Sequence, residues 1–253
     1  MLVDERRHLI AESVIVNGAA TVAKLSKEFG VSLVTIRSDL EALEKQGVIR
    51  RNRGGAVAEQ SVRFLPSFQE RTSVHRENKQ AIGKAAAGLI KSGDWVFLDA
   101  GSTALYAIDH LQNLRLTIAV NSVYSVNKLV DSANIDLIQI GGVLYRPSLC
   151  FVGKLATAHL EELNFDRLLL GVNGVAESGI SVNNCLEVGI KQMMIQCANE
   201  VIVLADSVKL GIRSLARIAP LCEVHKLVTD SGAPQDVLDR LCEVHPKLEV
   251  IIA

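Results

Sequence analysis

The stretch 31–56 limits most severely what this chain can become. Ile36, Leu40 and Leu43 stand at i, i+4 and i+7, the spacing of one buried face of an α-helix. Ser32 before the run is placed as an N-cap and Gly47 after it as a stop, which predicts a helix between them. The opposite face carries Val34, Ser38, Glu41 and Lys45, flanked by Thr35 and Arg37. Its N-terminal half is short and polar with one guanidinium, as suits a helix that enters a major groove by its first turns. Arg50, Arg51 and Arg53 then precede Gly54-Gly55, where a tight hairpin brings arginines and backbone close to phosphates.

Upstream, Thr21 is positioned to cap a short helix carrying Val22, Leu25 and Phe29, and Gly30-Val31 makes the turn into the next helix. Leu9, Ile10 and Val14 supply a first helix to pack beneath the pair. The pattern is a helix-turn-helix followed by a basic wing, and double-stranded operator DNA is the partner it predicts. The alternative is a small helical cap on an enzyme, with the arginines as a solvated edge. Charge along the chain favours DNA: residues 1–58 hold 9 Lys and Arg against 7 Asp and Glu, and the remainder holds 18 against 21. The basic part is local, and the mildly acidic larger part has no reason to lie on nucleic acid.

The pattern Val31-Ser32, Thr35-Ile36-Arg37, Asp39-Leu40, Leu43 and Gly47, continued by arginines and Gly54-Gly55-Ala56, resembles the winged helix-turn-helix of the DeoR family of bacterial regulators. One departure is plain. Ser38 stands where that family usually carries a basic residue, so the half-site sequence does not transfer from relatives.

With 253 residues and 49% hydrophobic content, the chain is long enough for two domains. No apolar run reaches the roughly 18 residues of a membrane span, and the first residues are charged rather than apolar. A soluble, cytoplasmic protein without membrane contact is therefore expected. Cys150, Cys185, Cys197, Cys222 and Cys242 make an odd count with no Cys-x-x-Cys, and the six histidines show no metal-ligand spacing beside them. They are expected to be reduced core thiols, Cys197 sharing a helix face with Leu186, Ile190 and Met194. No metal, cofactor or catalytic residue is expected.

Residues 59–76 lack a sustained apolar period, and Phe64-Leu65-Pro66 breaks any helix, so a linker is placed there. From 77 to 253 helices and strands alternate, the signature of an α/β domain with a mostly parallel sheet. A helix is expected at 78–90, and strands at 95–98, 116–120, 136–140, 168–170, 201–205, 227–228 and 248–252. Small polar residues recur just after these strands, at the edge where open parallel sheets bind ligands. Asp99-Ala100-Gly101-Ser102-Thr103 is the strongest of these loops: Gly101 lets the backbone bend, and Ser102 and Thr103 offer hydroxyls and amides at a helix N-terminus, where an anion is favoured. It lacks the glycine and lysine spacing of nucleotide-binding loops, which points to a small phosphorylated molecule. Asn121-Ser122, Gly141-Gly142, Asp206-Ser207 with Lys209 and Thr229-Asp230 complete the edge, although Asn121-Ser122 and Thr229-Asp230 serve equally well as helix caps.

The loops Leu98–Thr103, 120–122, 140–142, 151–153, Phe165-Asp166 with Gly171, and 205–209 extend the resemblance over nearly the whole chain. They look like the effector domain of DeoR-type repressors, itself similar to ribose-5-phosphate isomerase. The resemblance implies a phosphorylated sugar as effector, with Gly101, Ser102 and Thr103 on its phosphate and Lys209 as a further cation. Asp99, Asp206 and Glu187 would face sugar hydroxyls, with Asn121, Ser122, Gly141 and Gly142 lining the same pocket. It also implies a homo-oligomer, dimer or tetramer, that represses a carbohydrate-utilisation operon. Two departures touch the sugar end: Asn173 stands where relatives often have Asp, and 182–187 has fewer His and acidic residues than theirs. The competing function is an isomerase in which Glu187, Asp206, Asp230 and Lys209 move a proton between sugar carbons.

Overall fold

The computed structural model describes residues 3–17, 19–45, 49–52, 54–58 and 68–253, which divide into two compact units, Met1–Val74 and His75–Ala253. Gly47, Arg53 and the Phe64-Leu65-Pro66 part of the expected linker lie outside the described residues. The first unit runs α1 (Val3–Asn17), β1 (Ala19–Thr21), α2 (Val22–Phe29), α3 (Leu33–Lys45), β2 (Ile49–Asn52), β3 (Gly55–Ala58) and α4 (Phe68–Ser73). Ile10, Ala11 and Val14 of α1, Val22 and Leu25 of α2, and Ile36, Leu40 and Leu43 of α3 meet in one core with Ile49 and Ala56 of the wing. Leu9, expected in that core, is only partly buried, because α1 turns Ile10 and Val14 inward instead.

The caps follow the sequence. Thr21 Oγ1 accepts a hydrogen bond from Lys24 N at 3.2 Å, Ser32 Oγ accepts one from Thr35 N at 3.1 Å, and α2 ends on Gly30 at φ 63°. The wing has one more strand than expected. Its order is β1-β3-β2, all antiparallel, and three-residue β1 is too short to show a period. A Cβ on Gly55 would stand 2.1 Å from Ala20 O, so this close pairing requires glycine. The segment read as linker contains α4, where Phe68 is buried and the Arg71 guanidinium lies 5.5 Å from the centre of its ring. One anchoring aromatic organises a helical turn that has no period of its own.

The second unit continues with α5 (Arg76–Ala87), β4 (Trp95–Leu98), α6 (Ser102–Leu111), β5 (Leu116–Val120), α7 (Val123–Leu129), β6 (Ile135–Gln139), β7 (Val143–Tyr145), β8 (Cys150–Val152) and α8 (Lys154–Glu161). Then follow β9 (Phe165–Gly171), β10 (Gly174–Ala176), β11 (Gly179–Val182), α9 (Val188–Gln196), β12 (Ala198–Leu204), β13 (Ala216–Ala219), β14 (Lys226–Thr229), α10 (Gln235–Val244) and β15 (Glu249–Ile252). The seven expected strands form one sheet, order β15-β14-β12-β9-β4-β5-β6, with every pairing parallel. The expected helix at 78–90 is α5, two residues earlier at its start and three shorter at its end.

Side chains alternate along each strand and fill two cores. Val96, Leu98, Ile118, Leu169, Ile202 and Val228 pack with Ile82, Ala104, Ile108 and Leu129 of α5, α6 and α7. Phe97, Ala119, Leu168, Leu170, Val203 and Leu227 pack on the other face with Leu160, Ile190, Met194 and Leu241 of α8, α9 and α10. Two small antiparallel groups, β7-β8 and β10-β11-β13, were not read from the sequence; their strands are short.

The cysteines correct an expectation. None of the five is in a disulfide, but only Cys150 is buried; Cys185 and Cys222 are exposed, and Cys197 and Cys242 lie between. Leu186 is exposed in the 3₁₀ turn Cys185–Glu187, which precedes α9 and points it off the face shared by Ile190 and Met194.

Phe97 is fully buried, with its ring edge-on to Phe165 at 5.3 Å. Phe97→Ala is expected to destabilise the second unit by about 3–5 kcal/mol, read as a lower urea midpoint with the transition slope unchanged. A loss below about 1 kcal/mol would mean that the sheet closes over the cavity.

Candidate functional site

The α3 face named from the sequence is open to solvent. Val34, Arg37, Ser38, Glu41 and Lys45 are exposed, Thr35 is half-buried, and the Ser32 and Thr35 hydroxyls stand 2.8 Å apart. Glu41 pairs with Lys45 one turn on, at 3.1 Å, and this pair, with Arg51 nearby, holds the Glu41 carboxyl below its ordinary range. Arg50 and Arg51 are exposed on β2, but strand alternation sends neighbouring side chains to opposite faces. Glu44 of α3 accepts a hydrogen bond from Arg51 N at 2.8 Å, tying the wing to the helix.

A buried carboxylate, missed from the sequence, fixes α3 from behind. Asp39 is 1% exposed and accepts from Arg6 Nε at 2.7 Å and Nη2 at 3.3 Å, and from Arg7 Nε at 3.0 Å. The hydrogen bond to Asp39 raises the Arg6 pKa above its ordinary value. Arg6 and Arg7 of α1 thus serve the inside of this unit.

In the second unit the chain order reverses between β4 and β9, and the two strand ends meet there. Asp99 N donates to Leu169 O at 3.1 Å, and Gly171 N donates to Asp99 Oδ2 at 3.0 Å. Gly101, the cap of α6, has φ −74° and ψ 140°, a conformation open to any residue. Glycine is favoured here for a different reason than bending: a Cβ would stand 3.2 Å from Gly171 Cα, a tight contact. Ser102 and Thr103 begin α6, both buried, and its N-cap, Gly101, makes no side-chain cap bond to the amide end. The adjacent α7 differs, since Ser122 Oγ accepts from Ser125 N at 3.3 Å.

Lys191 is the main residue that sequence reading missed at this edge. It lies on α9, buried at 5% exposure, with Nζ 2.5 Å from Asp99 Oδ2 and 3.0 Å from Gly171 O. Burial opposes its charge, yet Asp99 and then Glu187 outweigh that effect and hold its pKa above the ordinary lysine value. Asp99, expected to face ligand hydroxyls, is instead engaged by Gly171 and Lys191. The signal was faint: a lone lysine three residues before Met194, on a helix otherwise read as core. Glu187 accepts from Ser148 Oγ at 2.8 Å. Ser148 belongs to the β7-β8 loop, which crosses the end of β5 through Val123 N to Leu149 O at 3.0 Å and Phe151 N to Asn121 O at 2.8 Å.

The other expected residues separate into two groups. Asp230 receives N–H donors from Ser207 at 2.7 Å and Gly232 at 3.0 Å; burial opposes its ionisation, but these bonds hold its pKa below the ordinary range. Gly142, at φ 145°, lies where a Cβ would stand 2.7 Å from Val152 O, whereas Gly141 is exposed with nothing near its missing Cβ. Asp230 and Gly142 therefore have local structural work. Asn121 Oδ1, Asp206 Oδ1 and Thr229 Oγ1, at the ends of β5, β12 and β14, are buried with no hydrogen-bond partner among the described residues. Lys209 Nζ stands 3.7 Å from Asp206 Oδ1. Asn173, one of the two departures, is used locally: its Oδ1 accepts from Asn183 N at 3.1 Å. Among the described residues no group of His, Cys, Asp and Glu is placed to hold a metal ion, and no helix is long and apolar enough to cross a membrane.

Comparison with known proteins finds two family matches: the DeoR-like helix-turn-helix domain over residues 6–62 and the DeoR C terminal sensor domain over residues 74–231. The chain is 39% identical to YulB, an HTH-type transcriptional regulator of Bacillus subtilis (strain 168), over 92% of this chain and 90% of that one. It is 34% identical to the HTH-type transcriptional repressor GlcR of the same organism, over 95% and 94%. Among solved structures, ribose 5-phosphate isomerase A of Methanocaldococcus jannaschii matches with 22% identity and a TM-score of 0.39, over 53% of this chain and 54% of that one.

Asp39→Ala leaves Arg6 and Arg7 without their buried partner. It is expected to destabilise the first unit by about 3 kcal/mol, the low end for a broken buried pair because Arg7 is partly exposed. Differential unfolding of the full chain in urea measures it, and a change confined to the second transition would contradict the assignment.

Proposed function

The chain belongs to the DeoR family of transcriptional regulators, and from that premise we propose that residues 1–58 read double-stranded operator DNA while residues 77–253 bind a phosphorylated sugar that changes DNA affinity. On α3, Ser32, Val34, Thr35, Arg37 and Ser38 would enter the groove, and Arg50, Arg51 and Arg53 of the wing would meet phosphates. In the sensor, Gly101, Ser102 and Thr103 would hold the ligand phosphate, with Lys209 as a further cation. Asn121, Ser122, Glu187 and Asp206 would face its hydroxyls, and Asp99, Gly141 and Gly142 would shape the pocket.

One observation carries the ligand reading. The amide end of α6, whose N-cap Gly101 has no side chain to cap it, stands at the point where strand order reverses, on the same sheet edge as two buried acceptors without a hydrogen-bond donor among the described residues, Asn121 Oδ1 and Asp206 Oδ1, the latter with only Lys209 at 3.7 Å. Amides suit an anion, and acceptors suit hydroxyl donors, so a phosphorylated polyol matches both. Coupling requires that ligand-bound and free states differ in DNA affinity, and a homo-oligomer with paired reading heads meets that requirement by changing their spacing. In this reading the protein is a cytoplasmic repressor that binds its ligand without turning it over.

Arg51→Ala with Arg53→Ala is expected to weaken binding to all DNA sequences and to lower the salt slope by about one to two. Unchanged operator affinity would remove the wing from the interface.

A phosphorylated sugar is expected to bind on the order of a hundredfold or more tighter than the same sugar without phosphate. Ser102→Asp should abolish that binding and leave operator affinity intact, because it places a carboxylate where the phosphate sits. Calorimetry with a panel of sugar phosphates and release of labelled operator test both points. Equal affinity for phosphorylated and free sugars, or an isomeric product after incubation, would overturn the reading.

A further inference from the structure

A phosphate on the first turn of α6 has an unfavourable neighbour. The Asp99 carboxylate is buried next to that turn: a Cβ built on Gly101 would stand 3.6 Å from its Oδ2, and one built on Gly171 would stand 3.1 Å from it. Two anionic groups this close, in a region shielded from water, repel strongly. Asp99 is also held in place, since Gly171 N donates to it and swinging away would break that bond.

Lys191 is the one cation paired with Asp99 among the described residues. It arrives from α9, with its ammonium 2.5 Å from the carboxylate and its second contact on Gly171 O, so both of its bonds lie at the reversal point itself. Its side chain is almost fully buried, and solvent therefore screens its charge little. Lys209, the other cation at this edge, stands against Asp206 instead. Resting on the phosphate site proposed above, we infer that Lys191 is a positioning residue that makes this site able to take an anion, by cancelling the charge of Asp99 beneath it.

The pair then has a double-mutant signature that neither a direct ligand nor a purely structural pair shares. Inorganic phosphate is the probe, because it carries the charge and none of the sugar hydroxyls. It is titrated by calorimetry into the full chain, the two single variants and the double variant, with a thermal melt recorded for each. Lys191→Met is expected to weaken phosphate binding about tenfold or more, since it uncovers the carboxylate. Asp99→Asn is expected to strengthen it several-fold, because it removes the repulsion and keeps the cation. The double variant is expected within about threefold of the unmodified chain, as the two charges cancel in it as they do in the pair. If Lys191→Met does not fold, Asp99→Asn and the double variant still decide the matter, because replacing both members of a buried ion pair by neutral groups is commonly tolerated. Weaker phosphate binding in Asp99→Asn, or a double variant that binds about tenfold more weakly than the unmodified chain, would overturn the inference and leave the phosphate site standing. No phosphate binding by the unmodified chain would overturn the site reading and this inference with it.

Discussion

Parallel pairing is the constraint from which the second unit follows. Two parallel neighbours cannot be joined by a tight turn, so each strand must be followed by a crossover, and crossovers of one hand place successive helices on one face of the sheet. To cover both faces the chain must begin in the middle, build outward in one direction, and then return to build in the other. Here it begins at β4, adds β5 and β6 on one side, and returns to add β9, β12, β14 and β15 on the other. Only at β4 and β9 do the following loops diverge to opposite faces, and the gap between them is the proposed site. Gly101 and Gly171 meet there without side chains, each so close to the other's Cα that a Cβ would be tight. Asp99 bridges the two loops, and Lys191 of α9 answers its charge.

The two edges of the sheet are finished differently. At the N-terminal edge Arg167 pairs with Asp94 and Glu200, Lys226 with Glu200 and Glu249, and Asp166 accepts from Trp95 N at 2.8 Å. Charge there is spent on neighbouring strands. At the C-terminal edge Asn121 and Thr229 each keep a buried polar atom without a hydrogen-bond partner among the described residues, and Asp206 Oδ1 has only the Lys209 ammonium at 3.7 Å. A folded chain rarely leaves such atoms unmatched, because each one costs about 1–3 kcal/mol relative to its hydrated state. The asymmetry sets a salt-bridged edge against one that carries the proposed ligand site. The first unit follows the same division: Arg6, Arg7 and Asp39 are tied to each other on the inside of α3, while Val34, Arg37 and Ser38 remain exposed on its outside.

By itself the sequence determined whatever rests on local periodicity and local chemistry. The 3.6-residue spacing of Ile36, Leu40 and Leu43 located α3, Thr21 and Ser32 announced their caps, and the apolar runs located all seven strands of the large sheet. These signals are local because helix faces and buried strands repeat within a few residues. Tertiary structure decided what depends on partners distant in sequence. Strands of three residues, such as β1, β7 and β10, carry no period and exist only because another strand pairs with them. The tight space at Gly101 came from Gly171, seventy positions on, and had nothing to do with its own backbone angles. Asp99 looked like a free strand-end carboxylate until Lys191 arrived, and Lys191 looked like one more helix lysine until α9 docked. Charge compensation inside a fold has no sequence spacing, because the two residues are brought together by the packing of elements and not by the chain that joins them.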